Sequence, residues 1–115
     1  MKRENRLTHN TDFERVRRCG KSYAHPLVLL QVAKREDDDL KIGIVVSRAI
    51  GSAVKRNRTK RRLRACISEM LPSIGTGWDL VLIPRRPITL TCFEEIRRVC
   101  SDLLTRAKVT NFQRH

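Results

Sequence analysis

The residue types most able to do chemistry are concentrated in one stretch, Arg48-Ala-Ile-Gly-Ser-Ala-Val-Lys-Arg-Asn-Arg-Thr-Lys-Arg-Arg-Leu-Arg64. All twelve acidic residues lie outside Leu40 to Ser68, a span that carries nine Lys or Arg, seven of them between Lys55 and Arg64. Like charges one, three and four positions apart on a helix repel, so this run costs stability unless a polyanion neutralises it. The chemistry expected of Arg48, Lys55, Arg56, Arg58, Lys60, Arg61, Arg62 and Arg64 is therefore phosphate binding, and the expected partner is a nucleic acid. A merely solvated face mixes signs, whereas here no acid follows until Glu69. A localisation tract or heparin site fits poorly with a run built into an amphipathic helix between two hydrophobic segments.

Catalytic constellations are sparse. His9, His25 and His115 have no carboxylate or cysteine at useful spacing, and the chain has no H-E-x-x-H, nucleophile elbow or glycine-rich phosphate loop. Cysteines 19, 66, 92 and 100 form no C-x-x-C pair or zinc-finger spacing. If Cys92 and Cys100 share a helix, eight positions separate them by about 12 Å along its axis, too far to bind one metal. Free, buried or half-buried thiols in a reducing cytoplasm are expected. The four acids Glu36 to Asp39 sit in a loop and are weak grounds for a metal site. Nuclease chemistry by the chain's own Asp or Glu with metal is the minor reading. No catalytic residue is assigned, and metal-contacting atoms stay open.

The basic run needs a helix to carry it. With Ser52 as cap and a first turn at Ala53, Leu63, Ile67, Met70 and Leu71 share one side, while the same longitude in the first half holds Arg56 and Lys60. Such a helix is anchored by its tail, and its first turns, with their free N–H groups and dipole, project toward phosphate. Residues 1 to 9 read as a basic extended arm. Thr11-Asp-Phe-Glu14 has the form of a capping box, and Gly20 can terminate the turn that follows, so a short helix is expected from residue 11 or 12 to 19, packed through Phe13 and Val16. Leu27 to Ala33 and Leu40 to Ser47 read as two strands joined by the acidic loop, most simply an antiparallel hairpin, with Val28, Leu30 and Val32 on one face. A further short strand is possible around Ser22 to His25. Trp78 to Ile83 reads as a strand stopped by Pro84 and Pro87. Thr91-Cys-Phe-Glu94 has the form of a second capping box, and Phe93, Ile96, Cys100, Leu103, Leu104 and Ala107 recur at helical spacing.

The order α-β-β-(β)-α-β-α describes an α/β (α+β) two-layer sandwich with a small mixed sheet. At 115 residues and 40% hydrophobic content the chain suits a single RNA-binding domain, residues 1–115, with one modest core and a frayed end at 109–115. A formal charge of +13 makes phosphate binding at low salt nearly unavoidable. No apolar run follows Met1-Lys-Arg-Glu-Asn-Arg6, and no stretch approaches the length of a membrane span, so neither signal peptide nor membrane partner is expected.

Ile42-Gly-Ile-Val-Val-Ser47, Ala49-Ile-Gly-Ser-Ala-Val54, Arg56-Asn57-Arg58 and Lys60-Arg61-Arg62-Leu63-Arg64 together resemble the signature of the bacterial ribonuclease P protein subunit. The resemblance runs from Arg6-Leu7 and Asp12-Phe13 through Gly20 to Asp79-Leu-Val and the arginines of Ile83-Pro-Arg-Arg-Pro87. It implies a small basic cofactor of a catalytic RNA that matures the 5′ end of precursor transfer RNA. Magnesium, held mainly by the RNA, serves the hydrolysis. The implied partners are that RNA and the precursor, with no obligate protein partner, in the cytoplasm. It further implies that the R-N-R helix lies on the RNA subunit, and that the 5′ leader is met in a cleft between the first helix and the sheet. A left-handed crossover from the strand ending at Ser47 to the strand at Leu80 is also implied, against the general right-handed preference.

Carried over residue by residue, Arg56, Asn57 and Arg58 match the RNA-subunit motif, and Phe13 matches an aromatic of the leader cleft. Where relatives often place further aromatics, this chain has Arg17 and Gln31, so leader contact is expected to rely more on charge and hydrogen bonds. Helical neighbours lie about 100° apart, so Arg56 and Arg58 are expected to reach different phosphates or sugars, while Asn57 organises the helix start or bridges locally. A structural or ribosomal RNA-binding protein is the alternative; copurification of one RNA of a few hundred nucleotides, rather than ribosomal RNAs, separates the two.

Overall fold

The computed structural model describes residues 5–110. Four strands, β1 (Lys21–Ala24), β2 (Val28–Lys34), β3 (Leu40–Ile44) and β4 (Trp78–Pro84), form one mixed sheet in the order β1-β2-β4-β3. Three α-helices flank it, α1 (Asn10–Cys19), α2 (Ala53–Met70) and α3 (Phe93–Arg106), with 3-10 turns at Arg48–Ile50, Leu71–Ser73 and Arg86–Leu90.

The hairpin expected between β2 and β3 does not form. Instead β4 lies between them, antiparallel to β2 with Leu30 opposite Leu82, and parallel to β3 with Ile42 opposite Leu80. The physical reason lies in β4 itself: Asp79, Leu80, Val81 and Leu82 are all buried, and a strand covered on both faces belongs at the centre of a sheet. The chain therefore crosses from β3 through α2 to a parallel neighbour, while the acidic loop only connects strands that do not touch.

Alternation along β2 decides the layers. Val28, Leu30 and Val32 face α2 and α3, where they meet Leu63, Ile67, Leu80, Leu82, Ile96 and Leu103 in the main core. The opposite face carries a smaller cluster of Leu7, Val16, Ala33 and Val81, completed by Phe13 and Ile83, beneath α1. Of the segment expected to be a basic arm, residues 5 to 7 dock on the exposed edge of β3: Leu7 is buried, Arg6 bridges Ile42, and Asn5 Nδ2 donates to the Leu40 carbonyl at 3.1 Å. Fraying does not hold for residues 109 and 110, since Val109 is buried and Thr110 bridges Ile74. The rest of both expected termini, residues 1–4 and 111–115, lies outside the described residues.

Neither expected capping box forms. Helix α1 is capped by His9 and α3 by Cys92, neither with a side-chain bond to the helix, and the Thr91 hydroxyl donates to the Pro87 carbonyl at 2.9 Å instead. Asp12, Glu94 and Glu95 still place negative charge in the first turns, where the helix dipole favours it. Gly20 ends α1 for reasons of space: a Cβ there would lie 2.5 Å from the Val16 carbonyl oxygen and 2.7 Å from that of Val32.

Candidate nucleic-acid interface

The basic helix begins as its sequence requires. Gly51 turns the chain at φ 133°, and Ser52 follows as N-cap, its hydroxyl accepting from the Lys55 N–H at 3.3 Å. Arg56 then folds back, donating from Nη1 to the Gly51 carbonyl at 2.9 Å. Arg56 thus closes the helix start, and Asn57 is exposed beside it. Leu63, Cys66 and Ile67 are fully buried and pin the second half of α2; burying a leucine or isoleucine contributes about 2 kcal/mol. Thr59, buried one turn earlier, extends the anchor further than the apolar pattern indicated.

What the anchor holds out is positive charge. Among the described residues, none of the seven cations from Lys55 to Arg64 is paired with a carboxylate. Lys55, Arg58 and Arg61 are exposed, Lys60 and Arg64 half-buried, and Arg48 is exposed on the 3-10 turn before the helix. Arg62 is tied down, donating from Nη1 to the Thr91 carbonyl at 3.1 Å, and so joins the helix to the segment before α3. The structure thus brings the residues assigned from sequence onto one helix and its lead-in turn, with Arg56 and Arg62 partly spent on local structure.

A cleft of about 450 Å³ opens between α1 and the sheet, and Phe13, Arg17 and Gln31 all line it, with Asn10, Glu14, Val45, Val81 and Ile83. Phe13 is held by packing across β3 in the smaller cluster. Arg17 pairs with Glu14 at 2.8 Å on the same helix, and Gln31 Nε2 reaches the Ser22 hydroxyl at 3.4 Å. The floor is apolar and the rim polar, as suits a base or sugar with its phosphate at the edge.

Sequence reasoning missed the polar linchpin of this side. Asp79 is fully buried in β4 and takes ion pairs from both Arg15 of α1 and Arg35, the latter at 2.7 Å. Arg15 also donates to the Lys34 carbonyl at 3.0 Å. Arg35 further grips Asp37 through two bonds of 2.8 and 3.0 Å, and the Arg35 guanidinium holds the exposed Asp37 carboxyl down at about 2. The available signal was one acid inside the otherwise apolar run Trp78-Asp-Leu-Val-Leu-Ile83. A buried carboxylate is kept charged only by such partners. Of the four thiols, Cys66 and Cys100 are buried and hydrogen-bonded to each other across α2 and α3, which together with burial pushes the Cys100 thiol up; Cys19 and Cys92 are exposed, against expectation. Among the described residues, no three His, Cys, Asp or Glu side chains gather where they could hold a metal ion.

The profile of the family described as Ribonuclease P matches residues 1–108. The chain belongs to the ribonuclease P protein family. It is 38% identical over 109 residues to the ribonuclease P protein component of Herpetosiphon aurantiacus, spanning 95% of this chain and 89% of that one. The Bacillus cereus (strain B4264) ribonuclease P protein component is 37% identical over 108 residues, 93% of this chain and 94% of the relative. The solved ribonuclease P protein of Staphylococcus aureus superposes with a TM-score of 0.85 at 30% identity, covering 93% of this chain and 98% of that one. That of Thermotoga maritima gives 0.80 at 31%, covering 88% and 96%. The ribonuclease P protein fold, a mixed four-stranded sheet flanked by helices, is thus common to these chains.

Proposed function

We propose that this chain acts as the protein component of ribonuclease P, partnering a catalytic RNA in 5′ maturation of precursor transfer RNA, with α2 on the RNA subunit and the α1 cleft on the 5′ leader. The observation that carries this division is the contrast between the two surfaces. Helix α2 offers cations without carboxylate partners, which a phosphate backbone neutralises without reading sequence. The α1 cleft offers one aromatic, Phe13, two amides, Asn10 and Gln31, and the Arg17–Glu14 pair around an apolar floor, groups that hold a single strand by stacking and hydrogen bonds more than by net charge.

Magnesium supplies the hydrolytic chemistry when bound, and the described residues do not fit a site for it: no three His, Cys, Asp or Glu side chains among them gather, and Asp37 and Asp79 are both engaged by Arg35. The RNA therefore holds the metal in this reading, and the protein's work is to neutralise backbone repulsion and to fix the leader relative to the scissile bond. No described helix is long and apolar enough to cross a membrane. Four cysteines without disulfides accord with a reducing cytoplasm as the working compartment.

The test is reconstitution. Purified, RNA-free protein should leave precursor transfer RNA intact, and adding it to a cognate ribonuclease P RNA at low magnesium should accelerate 5′ cleavage. Cleavage by protein alone that survives ribonuclease treatment of the preparation would reverse the assignment.

A further inference from the structure

The chain contains one tryptophan and one tyrosine, and both line the same second cleft, of about 470 Å³, at the β1 edge of the sheet. Lys21, Lys34 and Lys108 line it too, beside Cys19, and no lining residue is acidic. It shares no residue with the α1 cleft and none with the basic helix. Lys34 Nζ stands 5.9 Å from the centre of the Trp78 ring, at the outer limit of a cation–π contact, so the ring face is only loosely covered. Trp78 and Tyr23 are half-buried and the three lysines exposed.

Lys108 supplies a second, independent observation. At φ 60° it is the one non-glycine among the described residues with positive φ, at the turn that ends α3, where its N–H bonds to the Thr105 carbonyl at 3.0 Å. Glycine or asparagine ordinarily takes this position, because a Cβ is strained there. A lysine kept in a strained backbone at the mouth of a cleft points to use of its side chain.

We propose that this cleft binds one nucleotide of unpaired RNA, its base on the Trp78 and Tyr23 side and its phosphate among Lys21, Lys34 and Lys108. Aromatic faces accept any base, and lysines track the backbone, so the site discriminates strandedness rather than sequence. The volume suits a single nucleotide. On binding, the Lys34 ammonium leaves the ring for the phosphate, and the base takes its place.

Because Trp78 is the only indole, its fluorescence reports this site in the intact protein. Titration with a pentauridylate RNA should change Trp78 emission saturably, and each added 100 mM salt should weaken the midpoint. Inorganic phosphate and a glutamate pentapeptide at the same charge should leave it nearly unmoved. Lys108→Gly is the decisive variant: it removes the strain, so its Tm should match or exceed that of the parent, while its midpoint for pentauridylate should rise about threefold or more. Arg58→Ala, on the basic helix, should leave the Trp78 midpoint unchanged. In the assembled particle, an emission change on adding the catalytic RNA assigns the nucleotide to that RNA, and one appearing only with leader-bearing precursor assigns it to the precursor. Unchanged emission with pentauridylate, an equal response to phosphate or the acidic peptide, or a Lys108→Gly midpoint equal to the parent's overturns the proposal.

Discussion

Phe13 lies directly on Gly43: a Cβ added to the glycine would fall 2.4 Å from the ring's Cε1 and 2.6 Å from its Cζ. The aromatic that lines the α1 cleft is thus seated by the absence of a side chain on β3. Gly43→Ala should displace the ring, cost about 1–3 kcal/mol of stability through overpacking, and weaken binding of leader-bearing precursor more than of leaderless transfer RNA. In a Phe13→Ala background the same alanine should cost little, because its obstacle is gone. Thermal unfolding and binding of the four proteins measure this; equal penalties in both backgrounds would contradict the contact.

Asp79→Asn should be the most damaging single substitution on the α1 side. It strips Arg15 and Arg35 of a shared buried carboxylate, and with Arg15 37% exposed and able to rehydrate, the loss should be about 2–3 kcal/mol. The corresponding fall in Tm is on the order of 10 °C. A change under 2 °C would show that the pairs contribute nothing.

Arg58→Ala and Arg56→Ala should separate. Both are expected to weaken binding to the RNA subunit and to reduce the salt slope by about 0.9 for a lost phosphate contact. Only Arg56→Ala should also destabilise the folded protein, because its guanidinium closes the helix start onto the Gly51 carbonyl. Salt-dependent binding isotherms paired with thermal melts decide between charge and helix support at each position.

The Arg35–Asp37 pair carries a pH signature. Its carboxyl is depressed in the folded state to about 2 from an ordinary value of 3.8, so the stabilisation is fully present above about pH 4 and disappears as pH falls through 2. The Tm advantage of the parent over Asp37→Asn should therefore be constant from pH 7 to 4.5 and shrink toward zero near pH 2. An advantage that persists at pH 2 would mean that the amide loses something other than the ion pair.

Much of this was legible along the chain wherever neighbours in sequence decide the outcome. Alternation in Val28 to Val32 placed the two faces of β2, and Ser52 with Leu63 and Ile67 placed α2 and its anchored half. Sheet order was not legible, because hairpin logic compares only adjacent segments, whereas β4 wins its central place by burying both faces. The capping boxes failed for a related reason: two residues at the right spacing do not fix which residue begins the helix, and docking of α1 and α3 on the sheet set those boundaries. The α1 cleft was reached through family resemblance in Phe13, Arg17 and Gln31, since no periodicity joins a helix face to a residue on a separate strand, however close the fold brings them. Asp79 was visible as an oddity, but its two arginines lie 64 and 44 residues away.

The position of β4 also governs the order in which the chain can fold. Until residues 78–84 have been made, β2 has only the short β1 beside it and β3 has no neighbour in the sheet, so two apolar strands wait with open edges while α2 is synthesised. The sheet then closes in one long-range step that joins contacts across more than thirty residues, the kind of topology that slows folding and exposes intermediates to aggregation. The cationic run of α2 precedes β4 in the chain, and like-charge repulsion of this kind opposes association of chains whose sheet has not yet closed.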